Sequence, residues 1–252
     1  MTFDNEQVQM KILILGGTRE ARLLARDLVA LGHEVITSLA GRTQDPILPE
    51  GGVRMGRFGG VPGLCAYLRA AGIERLVDAT HPYAGQMSIN AVAASQETGI
   101  PLVRYMRPPW SQQEGQDWLP VHSAQEAADS LPSGANVLLT SGHTGLDSYR
   151  ERVDCRFRVR LIVPPEIALP PHMEMIQTRP PYRLDEEIAL MQRHEITHLV
   201  TKNSGGEQTQ AKLVAAQQLG IKVLMIARPV YGPAREVDSI EEAIAALDIV
   251  AP

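Results

Sequence analysis

The sequence predicts an α/β protein built from two domains, each with a mainly parallel sheet, and a cleft between them. Three observations carry this expectation. Short apolar runs lack the alternation of half-exposed strands. Segments with helical spacing separate them. The rhythm pauses once, near residue 110, and then resumes.

Lys11-Ile-Leu-Ile-Leu15 is apolar throughout and ends at Gly16-Gly17. A strand covered on both faces reads this way. Ala21, Leu24, Ala25 and Leu28 then recur at helical spacing, and Gly32 ends that helix. Glu34 to Leu39 is a second strand, completing a βαβ unit. Strands follow at Val53–Met55, Leu76–Ala79 and Leu102–Arg104, with helices at Val61–Ala71 and Gln86–Thr98 between them. Arg107-Pro108-Pro109-Trp110 and the polar stretch to Asp117 form a candidate linker. Beyond it come strands at Val137–Leu139, Phe157–Val163, His198–Thr201 and Lys222–Ala227. Helices are expected at Leu184–His194, Gln208–Leu219 and Ser239–Leu247, and proline-rich loops follow Val163. The expected division is a leader at 1–10, an N-terminal domain at 11–110 and a C-terminal domain at 111–252.

A net charge of -5 argues against a general nucleic-acid binder. The longest apolar runs fall well short of the roughly 18 residues of a membrane span. Residues 1–10 lack the basic start and apolar stretch of a secretory signal. Cys65 and Cys155 form no CxxC pair and suggest free thiols, so a cytoplasmic location is expected. The histidines are scattered, with no HExxH and no Cys/His cluster, and no metal site is expected.

The chemistry-bearing residues sit where strands end. Gly16-Gly17-Thr18-Arg19 joins the first strand to the first helix, where glycines admit a pyrophosphate and the helix N-terminus offers N–H groups. The spacing is not GxGxxG, and a tight turn without a ligand is the alternative. The second strand ends in Ser38-Leu39-Ala40-Gly41-Arg42-Thr43, with no acid before Asp45. NAD-binding sheets place a carboxylate there for the ribose 2′-hydroxyl. Hydroxyls and Arg42 instead suit a 2′-phosphate, so NADPH is the expected cofactor; a solvated loop arginine is the alternative. Asp78-Ala79-Thr80-His81-Pro82-Tyr83 follows another strand, and His81 and Tyr83 there are candidates to donate hydrogen bonds or protons. In the second half, Ser141-Gly142-His143-Thr144-Gly145 and Lys202-Asn203-Ser204-Gly205-Gly206 read either as anion-binding turns or as ordinary turn chemistry. Neither matches GxxxxGK[ST], which removes a P-loop reading.

Taken in series, GGTREA (16–21), SLAGRT (38–43), RFGG (57–60), DATHPYA (78–84), RPPW (107–110), SGHTGL (141–146), TKNSGG (201–206) and ARP (227–229) resemble the precorrin-6A reductase family. The likeness runs from about Lys11 to the last helix. The resemblance implies two Rossmann-like domains with NADPH and a tetrapyrrole in their cleft, and hydride transfer to a macrocycle double bond in cobalamin biosynthesis. On the reading of the strand ends, Gly16, Gly17, Thr18, Arg19, Ser38, Gly41, Arg42 and Thr80 are the candidate cofactor-binding residues. His143, Thr144, Ser204 and Gly205 are the candidate substrate-binding residues, and His81, Tyr83 and Lys202 the candidate catalytic ones. Arg179-Pro180-Pro181-Tyr182 departs from the family's pattern at one loop. Tyr83 or Trp110 would offer a flat face to the macrocycle. A monomer with no nucleic-acid or membrane partner is expected. The alternatives are an NADP-dependent reductase of another small anionic substrate, or a non-catalytic NADPH- or tetrapyrrole-binding module.

Overall fold

A computed structural model describes residues 9–41 and 47–248. The chain divides into two compact units. The first ends at Arg107 and resumes at Pro229; the second runs from Pro108 to Arg228. Both crossings fall on an Arg-Pro dipeptide, where proline holds the preceding residue extended.

The first unit opens with β1 (Lys11–Leu15), α1 (Arg19–Ala30), β2 (Glu34–Leu39) and β3 (Gly52–Met55). It continues with α2 (Gly60–Ala70), β4 (Arg75–Asp78), α3 (Gly85–Thr98) and β5 (Leu102–Tyr105). The apolar run of β1 explains its central place. Ile12 and Ile14 pack against α1 on one face, while Leu13 and Leu15 pack against α2 on the other. All four are buried to within 1%. Each such side chain contributes about 1.5–3 kcal/mol.

The second unit contains β6 (Trp118–Val121), α4 (Ala124–Asp129), β7 (Asn136–Leu139) and a 3₁₀ turn at Leu146–Tyr149. Next come β8 (Arg156–Leu161), β9 (Met173–Gln177), α5 (Leu184–Arg193) and β10 (His198–Lys202). A short 3₁₀ turn at Glu207–Thr209, α6 (Ala211–Gln218) and β11 (Lys222–Ile226) complete it. Leu138, Leu199, Val223 and Met225 line its core with Met191 of α5 and Leu213 of α6.

The chain then returns to the first unit with β12 (Arg235–Val237) and α7 (Ile240–Ala246). This corrects the expectation that 111–252 forms one domain. β12 pairs in parallel with β5, Arg235 opposite Val103, and Ala243 and Ala246 of α7 join the α1 core. Without β12, β5 would be an open edge with unpaired backbone groups.

Both sheets are six-stranded, and every pairing among the described residues is parallel. The first has the order β12-β5-β4-β1-β2-β3, the second β6-β11-β10-β7-β8-β9. Counted from β1 and from β7, both follow the doubly wound order 3-2-1-4-5-6. They differ in the source of the sixth strand. The first sheet takes it from the returning chain end, the second from the segment preceding its central strand. The order reverses between β1 and β4, and between β7 and β10. Loops following these four strands therefore flank the crevices where doubly wound sheets take ligands.

Four elements were absent from the sequence reading: β6, α4, β9 and β12. α4 had a signal, since Ser123 and Glu126 have capping-box spacing. The Ser123 hydroxyl accepts from Glu126 N–H at 3.0 Å, and the Glu126 carboxylate accepts from His122 N–H at 2.7 Å.

Candidate active site

In the first unit the β1 turn is built around three residues. Gly16 donates its N–H to the Ser38 carbonyl at 3.0 Å, and a Cβ there would lie 2.6 Å from the Thr37 methyl. Gly17 has φ 110, and a Cβ on it would meet nothing within 4 Å, so open space adjoins the turn. Thr18 caps α1, accepting from Ala21 N–H at 3.0 Å while its own hydroxyl donates to the Ala79 carbonyl at 2.9 Å. One side chain thus fixes the helix start and ties the β1 loop to the β4 loop across the switch point. Earlier N–H groups of the first turn have no partner within the helix, and Arg19 begins it as an exposed cation. Such a donor set suits a pyrophosphate. Ser38 is buried at the end of β2, and Gly41 beyond it has φ 72. Arg42 and Thr43 lie outside the described residues.

The β4 loop rests on a buried ion pair. Asp78 accepts from the Thr80 N–H at 3.2 Å and from the Thr80 hydroxyl at 2.7 Å. Its other oxygen lies 3.5 Å from Arg104 Nε, an ion-pair rather than a hydrogen-bond distance, with both side chains at most 2% exposed. Arg104 also donates to the Gly232 carbonyl at 3.1 Å and to Glu236 at 2.9 Å, and its guanidinium lies 5.3 Å from the Tyr231 ring. Tyr231 in turn donates its hydroxyl to the Pro82 carbonyl at 2.7 Å. Burial, and then the Asp78 charge, push this phenol upward, which keeps it a donor. The returning chain therefore braces the Thr80–Tyr83 loop from below. His81 is exposed, Tyr83 half-buried, and their rings lie 5.9 Å apart; Tyr83 N–H donates to His81 Nδ1 at 3.3 Å.

In the second unit the loops after β7 and β10 are neighbours, because Thr140 donates to the Val200 carbonyl from N–H at 2.9 Å and from its hydroxyl at 3.1 Å. His143 and Thr144 are exposed in a turn bounded by Gly142 and Gly145, both of positive φ. Lys202 ends β10, and burial holds its ammonium down to about 8. Ser204 and Gly205 are buried, and a Cβ on Gly205 would collide with the Pro108 carbonyl at 2.1 Å.

Trp110 is not a stacking face. It is 9% exposed, sits in the core of the second unit and donates Nε1–H to the Gly206 carbonyl at 3.2 Å. Asn203 clasps its backbone at both ends, accepting from Trp110 N–H at 2.8 Å and donating to the Trp110 carbonyl at 3.0 Å. The linker proper is shorter than the sequence suggested, since its tryptophan is core.

Two clusters result. Gly16, Gly17, Thr18, Arg19, Ser38, Thr80, His81 and Tyr83 belong to the C-terminal edge of the first sheet. His143, Thr144, Lys202, Ser204 and Gly205 belong to that of the second. Sequence reasoning missed Arg104, Tyr231 and Arg54. Arg104 carried a signal, because a charge inside the apolar run of β5 requires a buried partner.

Among the described residues, no three His, Cys, Asp or Glu side chains are placed to hold a metal, and no helix is long and apolar enough to cross a membrane. The shared strand order defines the class: a protein of two doubly wound α/β units. The family model described as "Precorrin-6x reductase CbiJ/CobK" matches residues 11–248, and the chain belongs to that family. It is 49% identical to a precorrin-6A reductase of Rhodococcus erythropolis over 93% of this chain and 96% of that one. A solved structure named CobK precorrin-6A reductase superposes with a TM-score of 0.90 at 39% identity, covering 96% of this chain and 98% of the other. A relative from Priestia megaterium named cobalt-precorrin-6A reductase is 29% identical over 94% of this chain and 97% of its own length.

Proposed function

We propose that this chain reduces one macrocycle double bond of precorrin-6A to give precorrin-6B, with NADPH as cofactor, in cobalamin biosynthesis. Family membership supports the reaction, and the Gly16–Thr18 turn at the first switch point supports the cofactor. The higher identity to the relative named for precorrin-6A favours the metal-free substrate over its cobalt form.

When bound, NADPH supplies the hydride. The first-unit residues orient it: Gly16 and Gly17 admit the pyrophosphate, the α1 N–H groups beyond Thr18 bind it, and Ser38 with Gly41 and Arg42 receives the adenosine end. Thr80 borders the same crevice. The second unit holds substrate. Precorrins carry several carboxylates, and Lys202, Ser204, His143 and Thr144 offer one ammonium and several hydrogen bonds to them. In this reading His81, Tyr83 or bound water supplies the proton to the carbon next to the hydride acceptor. Hydride transfer requires cofactor and substrate in contact. A monomer in a reducing cytoplasm fits two buried free thiols.

The test is an anaerobic assay with metal-free and with cobalt-containing precorrin-6A. The expected result is one NADPH consumed per metal-free macrocycle, with a product heavier by two hydrogens. Turnover of the cobalt form alone contradicts the substrate; binding of either form without NADPH consumption contradicts the reductase reading.

A further inference from the structure

We infer that Arg54, on β3, helps discriminate the adenosine 2′-phosphate of NADPH from the free hydroxyl of NADH, beside the loop that carries Arg42. This rests on the reading that NADPH occupies the first unit.

Position comes first. Ser38 and Arg54 are register partners at the ends of β2 and β3. The N–H of Gly16 donates to Ser38's carbonyl, so this pair lies directly beside the turn expected to take the pyrophosphate. In a doubly wound sheet the adenosine ribose extends from that turn toward the end of the second strand. The end of β2 and its loop carry no sign of this neighbour. Only strand register brings in Arg54, sixteen positions downstream of Ser38.

Pre-organisation comes second. Arg54 Nη1 donates to the Gly56 carbonyl at 2.6 Å and lies 3.4 Å from the Ser38 hydroxyl, and Nη2 donates to the Arg57 carbonyl at 3.0 Å. The Phe58 ring covers the guanidinium at 3.8 Å, and Tyr67 lies at 5.2 Å. A long side chain held this way has already lost most of its rotamer freedom, so little more is lost on binding.

Charge comes third. Among the described residues Arg54 forms no ion pair, in contrast to Arg104 and Arg107 in the same unit. A guanidinium has five N–H donors, and these contacts engage three. A fixed cation with donors to spare, next to a buried hydroxyl, complements a phosphate dianion. It offers nothing selective to a neutral 2′-hydroxyl.

The experiment measures dissociation constants of NADPH, NADH, 2′,5′-ADP and 5′-AMP for the full chain and for Arg54→Gln, with a melting curve of each. Arg54→Gln is expected to weaken NADPH and 2′,5′-ADP by about tenfold or more, the scale of one charge-assisted bond. NADH and 5′-AMP are expected to change less than twofold. Equal losses for both members of each pair would make Arg54 a mere brace of the 56–60 loop and overturn the inference, as would no loss at all. Should Arg54→Gln fail to fold, Arg54→Lys keeps the charge without the fork, and a smaller loss confined to NADPH and 2′,5′-ADP is expected; an unselective loss again overturns it. An unmodified chain that binds none of the four ligands removes the cofactor reading itself, and this inference with it.

Discussion

The two sheets share a strand order and differ in how their central strands end. β1 passes through Gly16-Gly17 into a twelve-residue helix capped by Thr18. β7 passes through Ser141–Gly145 into a four-residue 3₁₀ turn. A long capped helix aims a dipole and free N–H groups at one point, and that geometry receives a pyrophosphate. The second unit has no such helix after β7, so an anion at that turn would be bound by side chains and turn N–H groups. Lys202, desolvated at the end of β10, fits that task. A common architecture thus carries two different elements after its central strand.

The buried ion pairs follow the same division. In the first unit Arg104–Asp78 lies under the Thr80–Tyr83 loop. In the second, Arg160 and Glu187 pair through two bonds of 2.9 and 2.8 Å between β8 and α5. Losing one partner of a buried pair costs about 3–5 kcal/mol. Arg104→Ala is expected to lower unfolding free energy by that amount in denaturant titration and also to depress kcat. Arg160→Ala is expected to destabilise comparably while kcat per folded molecule holds. Equal loss of kcat in both variants would erase the contrast.

Lys202→Met is expected to raise the KM for the tetrapyrrole about tenfold or more, the scale of one charge-assisted bond. NADPH affinity should hold. The pH dependence has a definite sign. Lys202 in the free protein loses its proton near 8, so substrate affinity should fall as pH rises through that value. Lys202→Arg, which does not titrate there, should flatten that limb. For stability, the lowered value means the unfolded chain binds the extra proton between about 8 and 10.5. The burial penalty is fully present below 8 and fades as pH rises through this window. An alkaline limb that survives Lys202→Arg assigns it to another group.

Thr18→Ala removes a helix cap and should cost about 1 kcal/mol of stability. It should weaken NADPH without touching tetrapyrrole binding. Smallest is Tyr231→Phe, which deletes only the bond to the Pro82 carbonyl, about 0.5–1.5 kcal/mol. Its expected signature is a lower kcat with cofactor affinity unchanged, because the ring still packs against Gly85.

Much of the fold was legible because buried parallel strands announce themselves, as KILIL and HLVTK do. The missed strands lie at sheet edges, where packing demands less of the sequence. β6 contains Pro120, tolerated because it is an edge strand, and β9 alternates beside proline-rich loops. β12 is three residues long, and its partner β5 lies some 130 positions upstream in a separate stretch of chain. No local pattern encodes that return. The candidate site was legible where glycines and caps follow strands. It was opaque where it depends on register, as at Arg54, or on the returning chain, as at Tyr231.

Paired binding measurements on two variants test the division of labour between the two units. Gly17→Asp puts a negative charge into the open space beside the β1 turn, and Lys202→Met removes the ammonium from the second cluster. NADPH affinity is followed by calorimetry and precorrin-6A affinity by its visible absorption band, with melting curves confirming that each variant is folded. The expected result is crossed: Gly17→Asp weakens NADPH alone, and Lys202→Met weakens the tetrapyrrole alone. If Gly17→Asp spares NADPH, or Lys202→Met weakens NADPH as strongly as the tetrapyrrole, the two units do not divide the ligands in this way.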